Sequence, residues 1–201
     1  FDATLVAQKE YVELFSQEGM AAQWFPLFCP QFSPAESDFD ERDIPVSFVG
    51  TLGHKNNPDR EPFLKAFRAQ QPLVILTGDY RPIFGRSRIA LNQTAASEVN
   101  FRCFEAMSCG AALLMETCGN GLEELFAPEQ EILPTFPRND ARAAAAIAAS
   151  ALAQPQMLAD VASAGSRAVR QRHTDTVRAV RLTQILAEMC AARAHKERLE
   201  L

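Results

Sequence analysis

Hydrophobic residues along this chain fall into short continuous runs separated by stretches with helical spacing, and each run is punctuated by glycine, proline or amides. Thr4-Leu5-Val6 is a first short apolar stretch, followed by a helical pattern from Lys9 to about Glu18 that Gly19 ends; Trp24-Phe25-Pro26-Leu27 reads as a second strand. The segment from Pro30 to Asp43 is acidic and proline-punctuated, the pattern of a linker. A second unit opens with the strand Val46 to Gly50, a loop over Thr51 to Pro58, and a helix to about Gln70 that Asp59 is placed to cap. Strands follow at Leu73 to Gly78, at Ile89 to Asn92 after a short connection through Phe84, and at Ala111 to Met115; Glu131-Ile132-Leu133 is the last expected strand. Asn100 to Cys109 is helical, and three more helices are expected: one from an Asn139 or Asp140 cap to about Ala153, one from Pro155 to about Arg172, and one from about Asp175 to His195. Continuous apolar strands alternating with helices predict an α/β fold with a doubly wound, Rossmann-like parallel sheet covered on both faces. In such sheets ligands meet the carboxyl ends of the strands, so attention falls on Gly50 to Lys55, Gly78 to Arg81, Asn92 to Arg102 and Glu116 to Glu123.

Composition narrows the function classes. With 47% hydrophobic and 22% charged residues among 201, the chain has ordinary globular make-up, and a net charge of −5 gives no electrostatic case for nucleic acid or an anionic membrane. No apolar run approaches the roughly 20 residues of a membrane span. The five cysteines lack paired metal-ligand spacing and the three histidines are scattered, so neither a metal nor any other cofactor is expected. Free thiols in apolar segments fit a reducing, cytoplasmic setting. The chain begins at Phe1 within a strand-like segment, which reads as a fragment of a longer protein.

In the helix Asn100 to Cys109, Phe101, Phe104 and Met107 share one face, while Arg102 and Glu105, three apart, share a polar stripe. That pair reads either as a surface ion pair or as a ligand site, in which Glu105 accepts the hydroxyl protons of a polyol and Arg102 attracts an anion. Gly119-Asn120-Gly121-Leu122 is a glycine-rich turn opening a short helix; it suits close approach to a ligand, and equally an ordinary strand-to-helix turn. His54, Lys55 and Arg60 follow the first strand of the second unit, where cations serve a diphosphate or are simply solvated. His173 reads as a packing or capping residue, and His195, near the chain end, carries no specific expectation.

Ser87 to Asn92 followed by Asn100 to Leu114 resembles the spore-maturation (CgeB-like) glycosyltransferases. Gly121-Leu122-Glu123-Glu124-Leu125-Phe126, Glu131-Ile132, His173-Thr174 and Arg178 continue the likeness in order, and Val46 to Leu52 resembles the first strand of that family's C-terminal domain. The resemblance implies a GT-B fold of two Rossmann-like domains, of which this chain holds the donor half. On this reading residues 1–43 are a remnant of the N-terminal domain plus linker, 44–174 bind a nucleotide-diphosphate sugar, and 175–201 form a helix that crosses back to the missing N-terminal domain. The resemblance makes Glu105 a ligand of the donor ribose and puts Gly119, Asn120, Gly121 and Leu122 near the phosphates or sugar. Lys55 and Arg102 become phosphate-side candidates, with Gly50 and Asn92 at the adjoining strand ends. It implies transfer without a bound metal to an unknown acceptor. Many related retaining enzymes carry a second glutamate at the position of Ser97, so Ser97 departs from the pattern and Glu98 stands one residue away. A non-catalytic nucleotide-binding or scaffolding domain and a sugar-nucleotide epimerase are the alternative readings.

Overall fold

The computed structural model of the chain describes residues 3–30, 32, 38–53 and 55–199. His54, the side chain of His195, and Gln31 and residues 33–37 of the expected linker therefore lie outside the described part.

Strand β1 (Leu5–Val6), helix α1 (Glu10–Gln17) and strand β2 (Gln23–Trp24) form a small unit in which the two strands pair in parallel. The second strand is shorter than its apolar residues suggest. Pro26 has no N–H to give, and the carbonyls of Pro26 and Leu27 accept instead from the Arg178 guanidinium. After a 3-10 turn at Phe39–Glu41 come β3 (Ile44–Val49), α2 (Arg60–Arg68), β4 (Val74–Leu76), α3 (Arg81–Phe84) and β5 (Ser87–Asn92). Then follow α4 (Phe101–Ser108), β6 (Ala112–Met115), α5 (Leu122–Leu125), α6 (Ala141–Leu152), α7 (Pro155–Arg172) and α8 (Asp175–Leu199).

Four strands make one parallel sheet in the order β4-β3-β5-β6. Strands β3, β5 and β6 are buried on both faces, while the edge strand β4 is partly exposed, and the period of two sorts the core. Val46, Phe48, Ile89, Leu91, Ala112 and Leu114 meet α2 and the alanine face of α6. Their neighbours Val49 and Ala90 meet Phe84 and Ala106, while Leu113 and Met115 meet Phe104 and Met107 of α4. Helix α7 runs past the β6 edge, giving Leu158 and Val161 to the first cluster and Ala168 and Val169 to the second. The buried Val, Leu, Ile, Phe and Met side chains contribute about 1.5–3 kcal/mol each, so the two-sided sheet is the stable centre of the chain.

Several expectations are corrected. Glu131 to Leu133 does not become a strand: Leu133 N–H donates to Leu113 and Phe136 N–H to Met115. The outer segment thus carries one residue more than β6 between matching bonds, and Pro134 cannot join the ladder. Asp59 does not cap α2, because its backbone is already helical and its carboxylate accepts from Asn139 Nδ2 instead. Of the two candidate caps on α6 it is Asp140 that serves, accepting from the N–H groups of Arg142 and Ala143. The connection through Phe84 is itself a helical turn, with Pro82 in its first turn. Among the described residues no helix is long and apolar enough to cross a membrane.

Candidate functional site

The path of the chain determines where a cleft can form. From β3 the chain crosses through α2 to β4 on one side, then returns through α3 to β5 on the other side of β3. The two crossovers diverge above the carboxyl ends of β3 and β5, the switch point where open α/β sheets hold ligands. A cleft of about 380 Å³ lies there, lined by Gly50 and Thr51 after β3, Asn92 and Gln93 at the end of β5, Arg60 of α2, and the first turns of α4.

Helix α4 presents Asn100, Phe101, Arg102 and Glu105 to this cleft. Phe104 and Met107 are buried as their spacing predicts, whereas Phe101, expected on the same apolar face, is 42% exposed and forms part of the wall. The side chain of Asn100 does not cap its own helix. It accepts from Asn92 Nδ2 at 3.1 Å, which ties the end of β5 to the start of α4 and leaves first-turn N–H groups of α4 beside the cleft.

Arg102 Nη1 lies 3.0 Å from Glu105 Oε2, with the two side chains 26% and 13% exposed. This is a cleft-wall pair, not the solvated one that spacing alone allowed. Arg102 Nη1 is buried and, despite its proximity to Glu105, is not aligned for a hydrogen bond. The guanidinium rests over Tyr80 and Phe84, 5.2 and 5.8 Å from their ring centres. Burial pushes the Glu105 carboxyl above its ordinary value, opposed by Arg102 and then Arg81. A half-buried carboxylate under that pressure gains from hydroxyl donors. Arg60, from α2, stands over Phe48 at 5.4 Å and adds a second cation to the cleft lining.

Four of the sequence candidates, Gly50, Asn92, Arg102 and Glu105, thus share one cleft. The glycine-rich turn lies elsewhere. Asn120 is buried, accepts from Glu10 N–H and donates to the Ser97 carbonyl. Gly121 has φ +84°, and a Cβ there would fall 2.5 Å from the Trp24 ring, so both its conformation and its contact require glycine. Leu122 is buried in the core, and Gly119 opens on a separate groove beside α1 with Lys9 and Glu124. Lys55 is exposed on the loop and is not among the cleft-lining residues. Gln93 and Thr51 fall within the strand-end stretches, but they and Phe48 have no individual role in the sequence reading. Their signal was available in part: Asn92-Gln93-Thr94 is a run of polar residues directly after an apolar strand, and all three are buried.

His173 is buried among Phe104, Phe126 and the start of α8, as a packing residue. Arg178 Nη2 can only donate to Nδ1, so the ring is the Nε2–H tautomer donating to the Leu125 carbonyl. Among the described residues no group of three or more His, Cys, Asp or Glu side chains could hold a metal ion.

The fold of this chain is shared with GT-B glycosyltransferases of known structure. The chain superposes on sucrose-phosphate synthase from Thermosynechococcus elongatus with a TM-score of 0.77 at 16% identity, covering 95% of this chain and 59% of that one. It superposes on Anabaena HepE in complex with UDP-glucose with a TM-score of 0.76 at 12% identity, covering 93% and 64%. For the pneumococcal O-GlcNAc transferase GtfA in complex with UDP and GlcNAc the values are 0.68, 12%, 94% and 45%. The chain therefore spans about half to two thirds of the length of these structures. The fold is that of a Rossmann-like GT-B domain. A model of the glycosyl transferase-like family matches residues 40–186, and the chain belongs to that family. A search of curated protein sequences finds no match.

Proposed function

We propose that this chain is the donor-binding domain of a CgeB-like glycosyltransferase, taking a nucleotide-diphosphate sugar in the cleft between β3, β5 and α4. The observation that carries the reading is the placement of one carboxylate and two guanidinium groups, Glu105, Arg102 and Arg60, around a single switch-point cleft. Glu105 accepts protons from the ribose hydroxyls, because a carboxylate offers two oxygens to two adjacent donors. Arg102 and Arg60 face the diphosphate, aided by the N-terminal end of α4. As the sugar departs, negative charge grows on the diphosphate, and fixed cations stabilise that charge more than they stabilise the intact donor. The UDP and UDP-sugar complexes of the structural neighbours support this reading. The acceptor enters from the side of a further domain.

Calorimetric titration of UDP, GDP and ADP tests the proposal. One of them binds the wild-type chain, and Glu105→Ala weakens it about thirtyfold, the loss of hydrogen bonds to a charged group. A folded chain that binds none of the three, or a Glu105→Ala variant that binds as tightly as wild type, refutes it. The second reading, a binding domain without turnover, is favoured by Ser97. The resemblance puts a glutamate of many retaining enzymes at this position; here the serine is left-handed, with its hydroxyl bonded to Arg138. Donor hydrolysis by a chain that includes the flanking domain separates an enzyme from a binder.

A further inference from the structure

Beneath the cleft is a buried set of amides that the apolar core does not need. Gln93, the residue after β5, is fully buried and reaches the cleft floor. Its side-chain oxygen accepts from Asn57 Nδ2 at 2.8 Å and from Arg60 Nε at 3.1 Å. Its side-chain nitrogen donates to Asn57 Oδ1 at 3.2 Å and to Asn139 Oδ1 at 2.9 Å. A primary amide has two donors and two acceptor sites, and here all are in use. The backbone carbonyl of Gln93 accepts a further bond, from Arg60 Nη2 at 2.9 Å, while Arg60 Nη1 donates to Thr51.

The surrounding groups are also satisfied. Asn139, left-handed at φ 59°, bonds Asp59 through Nδ2. Glu116, fully buried, accepts from Thr94 N–H and Oγ1 through one oxygen and from Asn139 N–H through the other. Gln93 and Asn57, at the centre of this network, are buried, so a shift of either amide strands donors and acceptors. The network's product is a guanidinium held at Nε, Nη1 and Nη2, with two of its five N–H groups left for a ligand. An arginine on a free stem loses rotamer freedom when it binds; Arg60 has already lost it on folding.

We propose that Gln93 is the positioning residue of this site, fixing Arg60 in advance for the diphosphate of the donor. The identity of the anion rests on the nucleotide-sugar reading above; the fixing of Arg60 does not. An amide suits the task because glutamate would neutralise Arg60 and set carboxylate oxygens against Asn57 Oδ1 and Asn139 Oδ1.

The test is calorimetric titration of inorganic pyrophosphate, and separately of uridine, guanosine and adenosine, into the full chain and into Gln93→Met, Arg60→Met and Glu105→Ala, with thermal melts to verify folding. Gln93→Met and Arg60→Met each weaken pyrophosphate about tenfold and leave nucleoside affinity unchanged. Glu105→Ala does the reverse, losing nucleoside affinity without weakening pyrophosphate. A merely structural role for Gln93 would lower Tm and weaken both ligand types together, and that result overturns the proposal. So does unchanged pyrophosphate binding in Gln93→Met, or in Arg60→Met should the former not fold. Pyrophosphate binding that depends on Gln93, in a chain that binds no nucleoside or nucleotide, sinks the donor reading and leaves the positioning role standing. Nucleotide binding with no gain from the diphosphate sinks the positioning role alone, and a wild-type chain that binds neither ligand sinks both.

Discussion

Replacing Gly165 with valine is expected to lower stability by about 3 kcal/mol or more, although the site lies inside a long helix. A glycine within α7 costs helix propensity, and at an open position a residue with a side chain there would add about 1 kcal/mol. The surroundings reverse the sign. A Cβ on Gly165 would fall 2.5 Å from the Glu131 carbonyl oxygen and 3.0 Å from Met107 Sδ. The methionine can turn aside, but the carbonyl belongs to a segment tied down by the Glu131 carboxylate, which accepts from Ala127 N–H and Arg172. Helix α7 must therefore lift away from the Glu131 segment. Urea unfolding gives the measurement. A valine variant as stable as wild type would mean that α7 does not approach Glu131 this closely, and an alanine variant should already be destabilised.

The second large effect is acid sensitivity from His173. Burial, together with the cations Arg178 and Arg172, lowers its pKa to about 4 from 6.5, against the opposing pull of Leu125 and Glu131. The unfolded chain takes up a proton near pH 6.5, whereas the folded chain resists until about pH 4. As pH falls through this window the unfolded state gains a proton that the folded state lacks, so stability is lost. Above about 6.5 both forms are neutral and the contribution is complete; below about 4 both are charged and the loss ends. Its full size is on the order of 3 kcal/mol. Denaturant titrations at steps from pH 7 to pH 4, compared between wild type and His173→Gln, measure it. The variant starts less stable because it loses the ring contacts with Phe104 and Phe126, but its stability should fall less over the same window. Parallel curves would show that His173 titrates normally.

How much of this could be read from the sequence depended on whether the signal was local. Continuous apolar strands and glycine punctuation located β3, β4, β5 and β6 within a few residues, because a buried parallel sheet demands apolar residues on both faces. The i, i+3 spacing of Arg102 and Glu105 left a surface pair and a ligand site both open; the resemblance singled them out, and both line the cleft. Asp59 misled because a good capping residue was drawn to a partner eighty positions away, Asn139, which no local pattern reveals. Leu133 and Phe136 do run beside β6, but Pro134 and one extra residue keep them from forming a regular strand. Gln93 escaped notice for a similar reason. Its role comes from Asn57, Arg60 and Asn139 arriving from three separate segments, and its type gives only a weak hint. In the glycine-rich turn, glycine signals close approach, and at Gly121 the approaching group is an indole of the same chain.

That indole belongs to Trp24, the sole tryptophan of the 201 residues. It donates to the Ala7 carbonyl, carries the Lys9 ammonium 5.5 Å from its ring centre, and closes over Gly121. Ultraviolet emission excited at the red edge of protein absorption therefore arises from one place, the seam between the first strand pair and the turn that opens α5. The chain carries a built-in optical probe of that seam, and a ligand or neighbouring domain that shifts the turn changes its colour or brightness without any label being attached.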